Sequence, residues 1–378
     1  MLAQRPPMGW NSWNTFGKDI NEKLIMEIAD AIVEKGYKDA GYEYIVIDDC
    51  WSMRNRDENG RLVADSEKFP HGMKYLADYI HSKGLKFGMY SCSGTFTCAL
   101  YPGSYNHEFE DAQTFADWGV DFLKYDFCYF PQEGECASRA YTKMSMALKA
   151  TGRDILFSAC NWGQENCHNW MRSRGVHMYR STGDIFDNYV SFRDIAKSQI
   201  DKLSMSAQGC YNDVDMLIVG MYGKGNVGDG SGFGGCTDDE YMSHFAMWCM
   251  MGSPLMIGGD IRSMNEFSEN LLKNKGLIAI NQDEEARPPY LIRDEYSRYT
   301  YLKHLSDREF AIGCFSDCEE TVKAHIMTND MQLPDISGYC VELEDAMTGE
   351  KLGTFRDYYE VELPPHGCRI FKARIVKR

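Results

Sequence analysis

Two short stretches of this chain hold the groups from which bond-breaking chemistry is most readily built. In LKYD, Lys124 and Asp126 stand two residues apart, a spacing that turns both side chains to the same side of an extended strand. An ammonium so placed keeps the neighbouring carboxylate ionised, and an ionised carboxylate is a competent nucleophile. In YRSTGD, Arg180 precedes Asp184 by four residues, and Gly183 gives the backbone freedom to aim that acid. A carboxyl in a drier, more negative setting keeps its proton and serves as a general acid, so Asp126 and Asp184 form the candidate catalytic pair. Paired carboxyls cleave glycosidic bonds, and enzymes that retain the anomeric configuration hold them roughly 5 to 5.5 Å apart.

The residues around this pair suit a sugar. Trp10 and Trp13 close the first extended stretch, Asp48, Asp49 and Trp51 the second, and Tyr90 the third. Asn161 and Trp162 close the fifth, while Asp213 and Asp215 accompany the seventh. Carboxylates and cations meet hydroxyls, and flat rings meet C–H faces. Adjacent Asp48 and Asp49 diverge at a strand end and are expected to grip separate hydroxyls. Trp13, Trp51 and Trp162 are expected in the site, whereas Trp118, Trp170 and Trp248 fall on helical stretches and are expected in the core. An acidic rim also suits a hard cation, but Lys124 and Arg180 would then stand among the ligands. The histidines lie off the rim, and Cys50, Cys92, Cys98, Cys128 and Cys160 form no CxxC pair. No metal is expected.

Eight extended stretches are needed to gather these residues, and eight can be read: 8–13, 44–48, 86–90, 122–126, 155–161, 177–180, 215–219 and 254–257. Amphipathic helices intervene. Leu24, Ile25, Ile28, Ile32 and Val33 recur at helical spacing before Gly36. Met73, Leu76 and Ile80 share one face of 71–83, and Gly119 ends a helix over 109–118. Strand and helix in alternation over about 285 residues predict a (β/α)8 TIM barrel, whose catalytic groups sit at the carboxyl ends of the strands. The alternation stops in EEARPPY, which places a boundary between a barrel domain, 1–287, and a C-terminal antiparallel β-sandwich domain, 288–378.

The chain has 378 residues and a formal net charge of −16, which disfavours nucleic acid and anionic membrane as partners and favours a neutral small-molecule or oligosaccharide substrate. No stretch approaches the ~18 apolar residues of a membrane helix. The start, MLAQRPPMGWNSW, reads as no signal peptide, and no Asn-x-Ser/Thr acceptor occurs. A cytoplasmic location with reduced thiols is therefore expected. Self-association as a homo-oligomer is left open.

The blocks GWNSWNTF, IDDCW, KFGMYS, DAQTFADWGVDFLKYDFC, SACNWG, RSTGDI and NDVDML, in that order, resemble glycoside hydrolase family 27, the α-galactosidase and α-N-acetylgalactosaminidase group, over residues 7–285. The resemblance implies a (β/α)8 barrel with a β-sandwich, no cofactor, and hydrolysis of terminal α-D-galactosides with anomeric retention. It implies Asp126 as nucleophile and Asp184 as acid/base. Trp13, Asp48, Asp49, Tyr90, Cys98, Lys124, Asn161, Trp162, Arg180 and Asp215 are the implied sugar-binding residues. The Asn161-Trp162-Gly163 sequence resembles the α-galactosidases more than the N-acetyl-specific members, and Asp48 with Asp49 argues against a β-L-arabinopyranosidase. Gly17 and Lys18 stand where secreted relatives carry cysteine, so the usual disulfide partner of Cys50 is missing. Pairing of Cys98 with Cys128, as in relatives, is left open. The Gly-rich stretch 221–241 is either a plain surface connection or a lid or oligomer contact.

Overall fold

The computed structural model describes residues 2–131, 137–227 and 234–378. Positions 228–233, in the middle of the Gly-rich stretch, thus lie outside the described residues. Eight parallel strands form the first sheet: β1 (Met8–Asn11), β2 (Tyr44–Val46), β3 (Lys86–Cys92), β4 (Phe122–Asp126), β5 (Leu156–Cys160), β6 (Met178–Arg180), β7 (Tyr211–Asp213) and β8 (Leu255–Ile257). Their order is β7-β6-β5-β4-β3-β2-β1-β8. The ring closes through Leu217, which bridges Ile257 in parallel. Its amide donates to the Met256 carbonyl, and its carbonyl accepts from Gly258, both at 2.8 Å. The architecture is the TIM barrel expected.

Local chemistry accounts for the helices that wrap it. The helix Glu22–Glu34 starts where the Asn21 side chain accepts from the Leu24 amide, and it buries Leu24, Ile25, Ile28 and Ile32. Gly36, with φ 76°, takes the left-handed turn beyond its end. Val33 falls outside the buried stripe, 38% exposed. The helices Gly72–Ser82 and Glu108–Trp118 follow their expected spans closely, the second ending at Gly119 with φ 86°.

The seventh strand differs from the expectation. It runs over Tyr211–Asp213, ahead of 215–219. Asp215 sits at φ 89°, a left-handed conformation that no strand interior tolerates, so the apolar run after it contributes only the single bridge at Leu217.

Beyond the barrel the strands are antiparallel. The larger sheet, in the order β14-β13-β16-β11-β10-β9, contains β9 (Tyr290–Glu295), β10 (Arg298–His304), β11 (Glu309–Ser316), β13 (Tyr339–Asp345), β14 (Lys351–Phe355) and β16 (Cys368–Lys377). The smaller pairs β12 (Val322–Met327) with β15 (Tyr358–Leu363). Ala324, Ile326, Val361 and Leu363 from the small sheet share one apolar cluster with Ile312, Val341, Leu343 and Phe371 from the large one, as a sandwich requires. Among the described residues no helix is long and apolar enough to cross a membrane.

Candidate active site

The carboxyl ends of the barrel strands surround a cavity of about 740 Å³. Alternation along β4 turns Lys124 and Asp126 into it and buries Tyr125 behind. Trp13, Asp48, Asp49, Tyr90, Cys98, Trp162, Arg180, Asp184 and Asp215 complete the part of the wall read from sequence. Asn161 does not line the cavity. Cys160, the residue before it, takes the inward position, and Asn161 is wholly buried with its side-chain amide on the Gln164 carbonyl at 2.9 Å. Trp51 is likewise no wall residue. It packs edge-on against Trp118 and Phe115, and its indole N–H holds the Tyr90 carbonyl at 2.8 Å.

Asp126 lines the cavity and is only 6% exposed. Tyr90 donates its phenol to Oδ2 at 2.9 Å, while Oδ1 is buried with no partner. Burial pushes this carboxyl up to about 6, although the Lys124 ammonium, the Cys160 thiol and the Tyr90 phenol pull the other way. Lys124 favours the ionised form of Asp126 through space, and its direct ion pair is with another carboxylate. The ammonium reaches over the Tyr90 ring, 5.4 Å from its centroid, to bond Asp48 Oδ2 at 2.8 Å. That oxygen also accepts from Asn11 at 2.8 Å, and Asp48 Oδ1 from the Asp49 amide at 2.9 Å. Asp49 is fixed by the amides of Cys50 at 2.7 Å and Ala99 at 3.0 Å. Burial, first of all, raises its carboxyl above the ordinary range.

The second acid is set differently from expectation. Asp184 is 63% exposed, and Arg180 Nη2 donates to it at 2.9 Å. The same guanidinium bridges Asp215 Oδ2 at 2.5 Å. Asp215 is the drier acid of this group, pushed up to about 6 by burial against the opposing pull of Arg180. Its Oδ2 also receives the Ile185 amide at 2.7 Å, which ties the loop carrying Asp184 to the end of β7.

On the loops that follow β2, β5 and β7, Cys50 at 73°, Trp162 at 55° and Asp215 at 89° have positive φ. Such strain persists where surrounding structure over-determines it, and it clusters at functional sites. Cys98 and Cys128 form a disulfide with Cα atoms 5.3 Å apart, and Cys98 Sγ lies 3.7 Å from Asp126 Oδ2. Among the described residues, these two sulfurs and Asp126 are the one group of three candidate metal ligands within 4.8 Å of one another, and the sulfurs are bonded to each other. Sequence reasoning did not assign Asn14, Cys160, Ile185, Phe186, Met216, Asn226 or Val227 to this wall. Inward alternation could have found Cys160; Asn226 and Val227 arrive on a loop whose path no periodicity records.

Residues 5–283 match the Melibiase_2 family model, described as alpha galactosidase A. The chain is 41% identical over 371 residues to "Alpha-galactosidase 2" of Arabidopsis thaliana, covering 98% of this chain and 89% of that one. Its structure is similar to that of α-galactosidase I from Mortierella vinacea, with a TM-score of 0.91, 32% identity, and coverage of 98% and 97%. It is similar also to the α-galactosidase from Saccharomyces cerevisiae solved with raffinose, with a TM-score of 0.89, 28% identity, and coverage of 99% and 98%.

Proposed function

The chain belongs to glycoside hydrolase family 27 and hydrolyses terminal α-galactosyl residues, and from that premise we propose that Asp126 and Asp184 carry the reaction. The observation that supports this division is the contrast between the two carboxyls. Asp126 is buried and oriented through one oxygen, leaving Oδ1 without a partner. Asp184 stands in solvent on a guanidinium tether. A nucleophile needs a dry, aimed oxygen; an acid/base must exchange protons with water between steps.

In the first step Oδ1 of Asp126 attacks the anomeric carbon while Asp184 gives its proton to the glycosidic oxygen. The C–O bond breaks, and the leaving sugar departs as an alcohol. Asp184, now ionised, takes a proton from a water whose oxygen attacks the same carbon. The ester to Asp126 breaks, galactose leaves in its original α configuration, and Asp184 is an acid again. Asp48, Asp49, Lys124 and Arg180 are proposed to hold the ring hydroxyls, with Trp13, Tyr90 and Trp162 against its carbons. The raffinose held by the yeast relative supports an oligosaccharide as substrate. A cytoplasmic location also belongs to this reading, supported by eleven unpaired cysteines among the described residues, against which the Cys98–Cys128 disulfide counts.

Asp126→Asn should lower kcat on a chromogenic α-galactoside by about 10⁴-fold, and a fluorinated galactosyl fluoride should trap wild-type Asp126 as an ester visible by peptide mass spectrometry. Asp184→Ala should spare a dinitrophenyl galactoside, whose leaving group needs no proton, far more than melibiose. Full activity in Asp126→Asn, or β-galactose as the first product by NMR, would falsify the assignment.

A further inference from the structure

The proposed roles account for the galactose ring and leave the other side of the scissile bond without a recognition element. A general acid stands beside the oxygen it protonates, so the departing sugar must occupy the space next to Asp184. Phe186 lines the same cavity two residues further on. Its neighbours Ile185 and Asp187 are 1% and 0% exposed, yet Phe186 itself is 43% exposed.

The backbone that carries the ring is fixed from several directions. Ile185 donates its amide to Asp215, as described above, and the Phe186 amide donates to Ser191 Oγ at 2.9 Å. The Asn188 amide donates to the Phe186 carbonyl at 2.8 Å. The Asp187 carboxylate receives the Tyr241 phenol at 2.8 Å and the Gly223 amide at 2.6 Å. A segment held this firmly has its anchors in 185, 187 and 188 and does not use the Phe186 ring for stability. An apolar ring kept in water on a rigid mount, at the edge of a polar cavity, is the arrangement that accepts the C–H face of a sugar with little ordering cost.

We propose that Phe186 is the platform of a leaving-group subsite that takes a neutral sugar ring, the aglycone of an α-galactosyl oligosaccharide. The carboxylates of Asp48, Asp49, Asp126 and Asp215 in the same cavity disfavour an anionic aglycone. The subsite rests on the assignment of Asp184 as acid/base, and its test separates the two ideas. α-Galactosyl fluoride has a leaving group too small to touch the platform, whereas melibiose and raffinose have a sugar there. In Phe186→Ala, the ratio of kcat/KM on raffinose to kcat/KM on α-galactosyl fluoride should fall about five- to tenfold, the effect of leaving roughly half a Phe side chain unburied. The change should appear as a rise in KM for raffinose, and Phe186→Trp should restore the ratio. If wild type hydrolyses the fluoride and Phe186→Ala keeps the wild-type ratio, the subsite is overturned alone. If Asp184→Ala loses melibiose and the dinitrophenyl galactoside to the same degree, the acid/base reading is overturned and the subsite with it.

Discussion

Burial draws the Asp126 carboxyl from an ordinary 3.8 up to about 6, and only its ionised form can attack an anomeric carbon. Activity should therefore rise with pH through about 6, seen as the acid limb of kcat/KM on a neutral α-galactoside. Asp215 titrates in the same range and the same cavity, so the limb belongs to the coupled group. Lys124→Met removes the cation that opposes the rise and should move the limb upward; a limb near 4 in both proteins would refute this account. The sign for stability runs the other way. A folded value above the unfolded one means that protonation favours the fold, a contribution fully present below 3.8 and lost as pH rises through about 6. Asp126→Asn should accordingly gain up to about 3 kcal/mol near pH 8, shrinking toward nothing near pH 4, read from unfolding curves at both values. The sequence put Lys124 and Asp126 on one face correctly. The direct ion pair of Lys124 with Asp48 was not legible, because alternation along β4 says nothing about Asp48 reaching in from beyond β2, across the Tyr90 ring.

The break after β7 is an element-scale device. Trp248, in the helix Asp238–Met251, donates its indole N–H to the Asp215 carbonyl at 2.6 Å. One turn earlier His244 Nε2 accepts the Ile218 amide at 3.1 Å. Burial pushes this imidazole down to about 3, which keeps it neutral and able to accept. Together they pin the chain just beyond the left-handed turn from which Asp215 meets Arg180. Trp248→Phe keeps an aromatic ring but orphans a buried carbonyl, which should cost about 1 to 3 kcal/mol in urea unfolding and raise KM for α-galactosides. A variant with wild-type stability and KM would show that the turn needs no such clamp. Period counting found eight strands and the first three long helices because their apolar faces repeat. It misplaced the seventh strand because DMLIV has the composition of a strand and its interruption lies in the φ of one aspartate. Phe186 was illegible for a related reason: its exposure is set by the burial of its neighbours, which depends on Tyr241, Gly223 and Asp215 arriving from elsewhere.

The same helix, Asp238–Met251, joins the two halves of the molecule. Tyr241 and every residue from Ser243 to Met251 are buried, a pattern that lacks the polar face of an ordinary barrel helix. One side lies against the barrel, and the other meets the large antiparallel sheet. Met247, Trp248 and Met250 share a core cluster with Tyr301, Phe315, Cys368 and Ile370. Around this seam Asp317 accepts from Tyr189 at 2.8 Å and Lys197 at 2.5 Å, and the His366 ring stacks on Tyr189 at 3.6 Å. Helix Tyr189–Lys197 is capped by Asn188, two residues after Phe186, so the seam also backs the loop that carries Asp184. The two architectures that the proposed boundary at 287/288 would separate are therefore expected to unfold as one cooperative unit. Calorimetry of the whole chain should give a single transition. A chain ending at residue 287 should aggregate, because the sheet-facing side of the helix, Met247 and Met250 included, would be left in water. A soluble, active 1–287 fragment, or two separated transitions in the intact protein, would show that the helix is satisfied by the barrel alone.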